Sequence, residues 1–173
     1  FKLYRMDNKN QQKNQVVDWV AKLKDQPKEL RVTGEDDEAN PTLEIALLMD
    51  CTSSMSSWIL KAKETLITII DKIIQECKDE GNLAVRVSFV GYRDIKDTHR
   101  FRVMEFTDDI QAVKDFISAT QAEGGADEPE DLQGGLKLSL LQDWTEEATK
   151  RVFIISDAPC HGKQYHSCSD DYP

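Results

Sequence analysis

Glu44-Ile45-Ala46-Leu47-Leu48-Met49-Asp50-Cys51-Thr52-Ser53-Ser54-Met55 is the stretch on which the fold turns. The run Ile45 to Met49 is apolar at consecutive positions, as a strand buried on both faces of a parallel sheet must be. It stops at a carboxylate and passes into a hydroxyl-rich loop. Beyond the loop, Ile59, Ala62, Leu66, Ile69, Ile70, Ile73 and Ile74 recur at helical spacing on one side of a long helix. Strand, loop and helix together predict an α/β unit.

Working outward, Leu83 to Val90 reads as a second strand and Phe101 to Phe106 as a third, and the short Gly91 to Arg100 connection suits an antiparallel edge hairpin. Thr107, Asp108 and Asp109 supply cap chemistry for a helix carrying Ile110, Val113, Phe116 and Ile117. Gly124 and Gly125 open a loop, Pro129 starts another helix with Leu132, Leu136 and Leu140 on one face, and Val152 to Ile155 returns as a buried strand ending at Ser156 and Asp157. A right-handed crossover then gives a mixed, mostly parallel sheet in the order 3-2-1-4 with helices on both faces. Upstream, Val16, Trp19, Val20 and Leu23 form the apolar stripe of a helix from Gln12 to Asp25, ended by Pro27, and Glu35 to Glu38 read as an acidic linker. Residues 1–40 are therefore expected to be a helical extension and linker, and residues 41–173 the α/β domain.

A chain of 173 residues holds one domain with a real core. No apolar run approaches the roughly 20 residues of a bilayer span, so membrane insertion is not expected. Lys and Arg number 22 against 32 Asp and Glu, and the net charge of -10 argues against nucleic acid and for cations or basic partners. The chain opens on Phe1 without a basic-then-apolar leader and reads as a segment of something longer. Of the four cysteines, Cys51 and Cys77 stand at opposite ends of the expected long helix, beyond disulfide reach, and four reduced thiols are expected.

Asp50 and Asp157 each follow an apolar strand. In the expected order those strands flank the topological switch point, where open α/β sheets bind ligands. Asp50, Thr52 and Ser54 present a carboxylate and two hydroxyls at alternate positions, an oxygen-only set suited to a hard cation such as Mg²⁺. The same hydroxyls would also serve as ordinary helix caps with no metal at all. Asp131 is open to two readings, a cap for the Leu132 helix or a further ligand.

The apolar strand, the D-x-T-x-S-M loop, the later Gly-Gly loop and the second strand with its Asp resemble the metal-ion-dependent adhesion site of von Willebrand factor A domains, over residues 43 to 159. The resemblance implies the Rossmann-like fold of that family. It implies a Mg²⁺, Mn²⁺ or Ca²⁺ ion held by Asp50, Thr52, Ser54, Asp127 and Asp157, with Asp127 where many members place a Thr. It implies a protein partner that offers the metal an acidic residue. Asp50-Cys51-Thr52, Gly91-Tyr92-Arg93-Asp94, Pro129-Glu130-Asp131 and Asp157-Ala158-Pro159-Cys160-His161-Gly162 are more similar still to the A-type domains attached to protist alpha-type kinases, which implies a cytoplasmic setting. The chain carries no glycine-rich nucleotide loop, no strand-borne catalytic lysine and no zinc-braced lobe, so this chain is not expected to be an enzyme and any kinase lies outside it. The family fold continues for two more strand-helix units than this chain holds, so the sequence is read as a C-terminally incomplete fragment.

The leading expectation is a metal-dependent binding module. The alternatives are a metal-assisted phosphohydrolase and a non-catalytic scaffold domain of an alpha-type kinase with an empty metal site. Cys160, His161, His166 and Cys168 match no standard zinc spacing and are read as an ordinary loop beside the site. Trp58, Trp144 and Tyr92 are read as packing residues.

Overall fold

The structure is a computed structural model that describes residues 42–79 and 84–172. The expected helix from Gln12 to Asp25 and the acidic linker lie outside the described residues. Four strands form one sheet: β1 (Thr42–Asp50), β2 (Ala84–Tyr92), β3 (Phe101–Thr107) and β4 (Thr149–Ile155), in the order β3-β2-β1-β4. β2 and β4 pair parallel with β1, and β3 pairs antiparallel with β2, as the sequence predicts. The helices are α1 (Ile59–Asp79), α2 (Ile110–Ala119) and α3 (Leu132–Leu141), with a short 3-10 turn at Ser53–Ser57 ahead of α1. Among the described residues no helix is long and apolar enough to cross a membrane.

β1 is the spine of the molecule because its side chains alternate between two cores. Ile45, Leu47 and Met49 pack with Ala62, Leu66 and Ile70 of α1 and Val113 and Ile117 of α2. Leu48 faces the other way, among Val90, Tyr92 and the α3 residues Leu132 and Leu136. A fully buried aliphatic side chain contributes about 1.5–3 kcal/mol, so consecutive buried positions in one strand hold both helical layers to the sheet. The exception is Glu44, which is fully buried yet accepts from Arg86 at 2.6 Å and from the Thr145 amide at 2.9 Å.

The element bounds depart from the apolar runs, and at β2, β4 and α3 the reason can be named. β2 runs on through Gly91 and Tyr92, because Gly91 pairs with both Met49 and Arg102. A Cβ at Gly91 would stand 2.9 Å from Cys51 Sγ, so only glycine lets the strand pass the start of the loop. β4 begins at Thr149, ahead of its apolar run, since ladder pairing with Leu43 and Glu44 needs only main chain. α3 begins at Leu132 rather than at Pro129, because Asp131 is its cap, with Oδ1 accepting from the Gly134 amide at 2.9 Å. Asp131 is pinned further by Arg100 Nε at 2.6 Å, which makes it a structural residue.

Candidate metal centre

β1 and β4 lie side by side, so Asp50 at the end of one strand and Asp157 just past the end of the other open onto the same edge of the sheet. Asp50 is fully buried, and its Oδ1 accepts from the Thr52 amide at 3.0 Å and from Thr52 Oγ1 at 2.7 Å. Thr52 Oγ1 lies 3.1 Å from Ser54 Oγ, and Ser54 Oγ donates to Asp157 Oδ1 at 3.0 Å. Ser156 Oγ, at 3.3 Å from Asp50 Oδ2, joins the same group. Asp50, Thr52, Ser54 and Asp157 therefore form one connected set of oxygens across the two strand ends.

This geometry separates the two roles open to the hydroxyls. Thr52 stands at the N-cap of the 3-10 turn but makes no side-chain cap bond. Both hydroxyls turn toward carboxylates. Thr52 and Ser54 bring one proton each, and those protons serve the contacts to Asp50 and Asp157. The Thr52–Ser54 approach is then left with two oxygens and no proton between them.

Glu130 is the residue that the sequence reading misses. It is 3% exposed, and its Oε2 is buried without a hydrogen-bond partner. A Cβ added at Gly125, whose φ is +85°, would meet Glu130 Oε1 at 2.8 Å and Thr52 Cβ at 3.3 Å, which places Glu130 beside Thr52. Burial pushes the Glu130 carboxyl up to about 8, the nearby Asp50 and Asp94 charges add to that rise, and the neighbouring Thr52 hydroxyl opposes it. Burial also raises Asp50, helped by repulsion from Asp157 and opposed by the Thr52 bonds. The edge is thus short of positive charge.

Asp127 keeps different company. Its Oδ2 accepts from the Asp171 amide at 2.8 Å, and the residue groups with Asp94 and His161, ligand atoms of all three lying within 4.8 Å of one another. Among the hydrogen bonds of the described residues, none joins Asp127 to Asp50, Thr52, Ser54 or Asp157.

Arg93, in the run after β2, is 4% exposed and braces the loops around the edge. Its guanidinium donates to the carbonyls of Cys51 at 3.3 Å, His99 at 2.5 Å and Gln121 at 3.1 Å, and pairs with Glu123 at 3.0 Å. The Ser53 amide reaches Gly124 O at 3.0 Å and the Glu123 amide reaches Cys51 O at 2.9 Å, so the Gly-Gly loop is tied directly to the Asp50 loop. Cys51 is buried and its thiol is pushed up to about 12 by that burial, which keeps it in the thiol form. Cys51, Cys160 and Cys168 form no disulfide. Of the three aromatic residues, Tyr92 is buried and Trp144 packs edge-on against Phe106 with its Nε1 on Ser139 O at 2.7 Å, but Trp58 is 49% exposed.

The model of the von Willebrand factor A domain matches residues 44–168. The chain belongs to the von Willebrand factor A domain family. The alpha-protein kinase vwkA of Dictyostelium discoideum is 30% identical to this A domain over 153 residues, covering 88% of the chain and 24% of the kinase. The A domain thus spans about a quarter of the curated relative. Among solved structures, the pilus adhesin SpaC of Lactobacillus rhamnosus GG in its open conformation superposes with a TM-score of 0.55 at 19% identity, over 72% of this chain and 16% of the adhesin. Another form of SpaC gives 0.52 at 18% identity over 73% of this chain and 17% of the adhesin. At such identities the likeness to SpaC is one of fold.

Proposed function

We propose that this A domain is a protein-binding module that captures a partner through a divalent cation at the β1–β4 edge. The observation that carries the reading is the orientation of Thr52 and Ser54, whose hydroxyls face Asp50 and Asp157, Thr52 making no cap bond to the 3-10 turn that follows it. A cation fits the residues present. The proton-poor Thr52–Ser54 contact, the orphaned Glu130 Oε2 and the raised Asp50 and Glu130 carboxyls are all relieved by positive charge. Asp50, Thr52, Ser54 and Asp157 would hold the ion directly or through water, with Glu130, beside Thr52, as a further carboxylate in place of the expected ligand Asp127, whose Oδ2 accepts from the Asp171 amide. Oxygen-only ligands suit Mg²⁺, with Mn²⁺ or Ca²⁺ as substitutes. When bound, such an ion supplies a coordination position for an acidic residue of the partner. The buried chain residues would set the position of the oxygens, and the net charge of -10 would keep unpaired acidic ligands at a distance unless the metal is present.

The kinase relative supports a cytoplasmic setting and a role as the interaction domain of a larger protein. The test is calorimetry of the purified chain with Mg²⁺ and Mn²⁺, followed by binding to a library of acidic peptides with Mg²⁺ or with EDTA. Saturable metal binding and EDTA-sensitive peptide binding are expected. Peptide binding that ignores EDTA, with no heat from either metal, would remove the metal from the function.

A further inference from the structure

A second cluster lies beside the β1–β4 edge, built by loops that follow β2, α2 and β4. His161 is 6% exposed, with Nε2 at 2.9 Å from Asp94 Oδ1 and Nδ1 at 2.8 Å from Asp170 Oδ1. Asp94 is 1% exposed, and the third member of the group is Asp127. Three features set this group apart from a surface patch of acids. One member is a buried imidazole, which suits Zn²⁺ and related transition metals better than Mg²⁺. The far ring nitrogen is held by a carboxylate that is itself fixed, since Asp170 accepts from the Gly162 amide at 2.7 Å and the Tyr172 amide at 2.7 Å. Its side chain has no exposure. A carboxylate that orients a histidine in this way is the recurrent outer partner of histidine metal ligands. The third feature is Asp127 Oδ1, which is shut off from solvent and has no hydrogen-bond partner.

Charge points the same way. Asp94, Asp127 and Asp170 lie about His161, and His166 Nε2 stands 3.2 Å from Asp170 Oδ2, so even with both imidazoles protonated two positive charges face three negative ones. Asp94 draws on the amides of Ile95 at 2.5 Å and Ala126 at 3.3 Å, whereas Asp127 receives the Asp171 amide alone. The group is left short of a positive charge next to an unpaired oxygen.

We infer that Asp94, Asp127 and His161 form a second metal site, specific for a Zn²⁺-like transition metal, with Asp170 as the residue that positions His161. The metal takes the place of the proton between His161 Nε2 and Asp94 Oδ1, so binding releases that proton to solvent while Nδ1 keeps its own toward Asp170. Bond lengths of about 2.0–2.2 Å put tetrahedral ligand atoms a little over 3 Å apart, within reach of small side-chain shifts from the present group. Water completes the coordination. This site does not depend on the Mg²⁺ reading of the β1–β4 edge.

The experiment is a Co²⁺ titration of the whole chain in saturating Mg²⁺, read by the visible d–d bands of tetrahedral Co²⁺ and then by their loss on adding Zn²⁺. One Co²⁺ per chain, displaced by Zn²⁺, is expected. Asp127→Asn keeps an acceptor for the Asp171 amide but loses the charge, and it should weaken Co²⁺ at least tenfold. His161→Gln should abolish the bands, and Asp170→Asn should weaken binding roughly 10- to 100-fold. Asp50→Asn should leave the bands unchanged, which separates this site from the first. Circular dichroism confirms that each variant is folded. Absence of tetrahedral bands in the unmodified chain overturns the proposal whatever the variants do. Bands that survive both Asp127→Asn and His161→Gln, or that vanish with Asp50→Asn, overturn it too.

Discussion

Replacing Asp50 by Asn and by Ala separates the metal role of that residue from its structural role. Asp50 Oδ1 holds the amide and hydroxyl of the fully buried Thr52. In Asp50→Asn the amide oxygen keeps both bonds while the charge is lost. The charge-assisted part of those bonds goes, but so do a buried negative charge and its repulsion from Asp157. These changes oppose each other, so metal-free stability should stay within about 1 kcal/mol of the parent. Asp50→Ala leaves the Thr52 amide buried without an acceptor, while the Thr52 hydroxyl can swing to Ser54 Oγ at 3.1 Å. One orphaned donor costs about 1–3 kcal/mol, and that should be the net loss. In the parent, Mg²⁺ at a hundredfold excess over its dissociation constant adds about 2.7 kcal/mol, which corresponds to a melting shift of roughly 10 °C for a domain of this size. Both variants should lose that shift, and only Asp50→Ala should melt lower without metal. Thermal melts with EDTA and with Mg²⁺ measure both effects. An Asp50→Asn protein that keeps the full Mg²⁺ shift would refute the assignment of Asp50 to the metal, and a parent that ignores Mg²⁺ and Mn²⁺ would refute the metal site.

Glu130 predicts an unusual pH dependence of the metal-free domain. Its folded pKa is raised from 4.5 to about 8, so the native state holds the proton more tightly than the unfolded chain does, and the stability this contributes is present below 4.5 and lost as pH rises through about 8. The raised pKa of His161 acts in the same direction above 6.5, so Glu130→Gln should reduce the fall in stability, and not abolish it. Urea unfolding in EDTA at several pH values checks this, and an unchanged slope in Glu130→Gln would count against it. Ser54 is exposed and makes no cap bond, so Ser54→Ala should change metal-free stability by less than about 0.5 kcal/mol while weakening Mg²⁺ binding. A loss near 1 kcal/mol with unchanged Mg²⁺ affinity, by melting and calorimetry, would return Ser54 to a capping role.

The sheet order was legible because each strand carries a signal that packing enforces. Ile45 to Met49 must be covered on both faces, and α1 with α2 on one side and α3 on the other are what cover it. Asp50, Thr52, Ser54 and Asp157 were legible for a related reason, since residues at the ends of adjacent parallel strands must meet. Glu130 was not legible. Pro129-Glu130-Asp131 reads as a helix start, but Glu130 instead forms an isolated bridge with Cys160, and its amide donates to Pro159 O at 2.9 Å. That pairing joins residues far apart in the sequence, and no local periodicity announces it. The partnership of His161 with Asp94 and Asp170 was hidden in the same way. Spacing among Cys160, His161, His166 and Cys168 carries no information about an aspartate in the loop after β2.

The loop from Gly124 to Asp131 explains why two acidic residues only three positions apart serve different clusters. Asp97 Oδ2 accepts from the Gly125 amide at 2.9 Å and Asp94 Oδ2 from the Ala126 amide at 3.3 Å, while Arg93 O accepts from the Asp131 amide at 3.2 Å. The loop is therefore fastened at both ends to the segment that follows β2. Between those fastenings the chain is not helical, so side chains three apart need not share a face, and Asp127 joins His161 while Glu130 lies against Thr52. Asp94 has two tasks in this arrangement, holding the Ala126 amide with one oxygen and facing His161 Nε2 with the other. A substitution at Asp94 would then disturb both clusters at once. Asp127→Asn and Glu130→Gln each leave the fastenings intact, and for that reason those two changes, rather than any change at Asp94, can tell one site from the other.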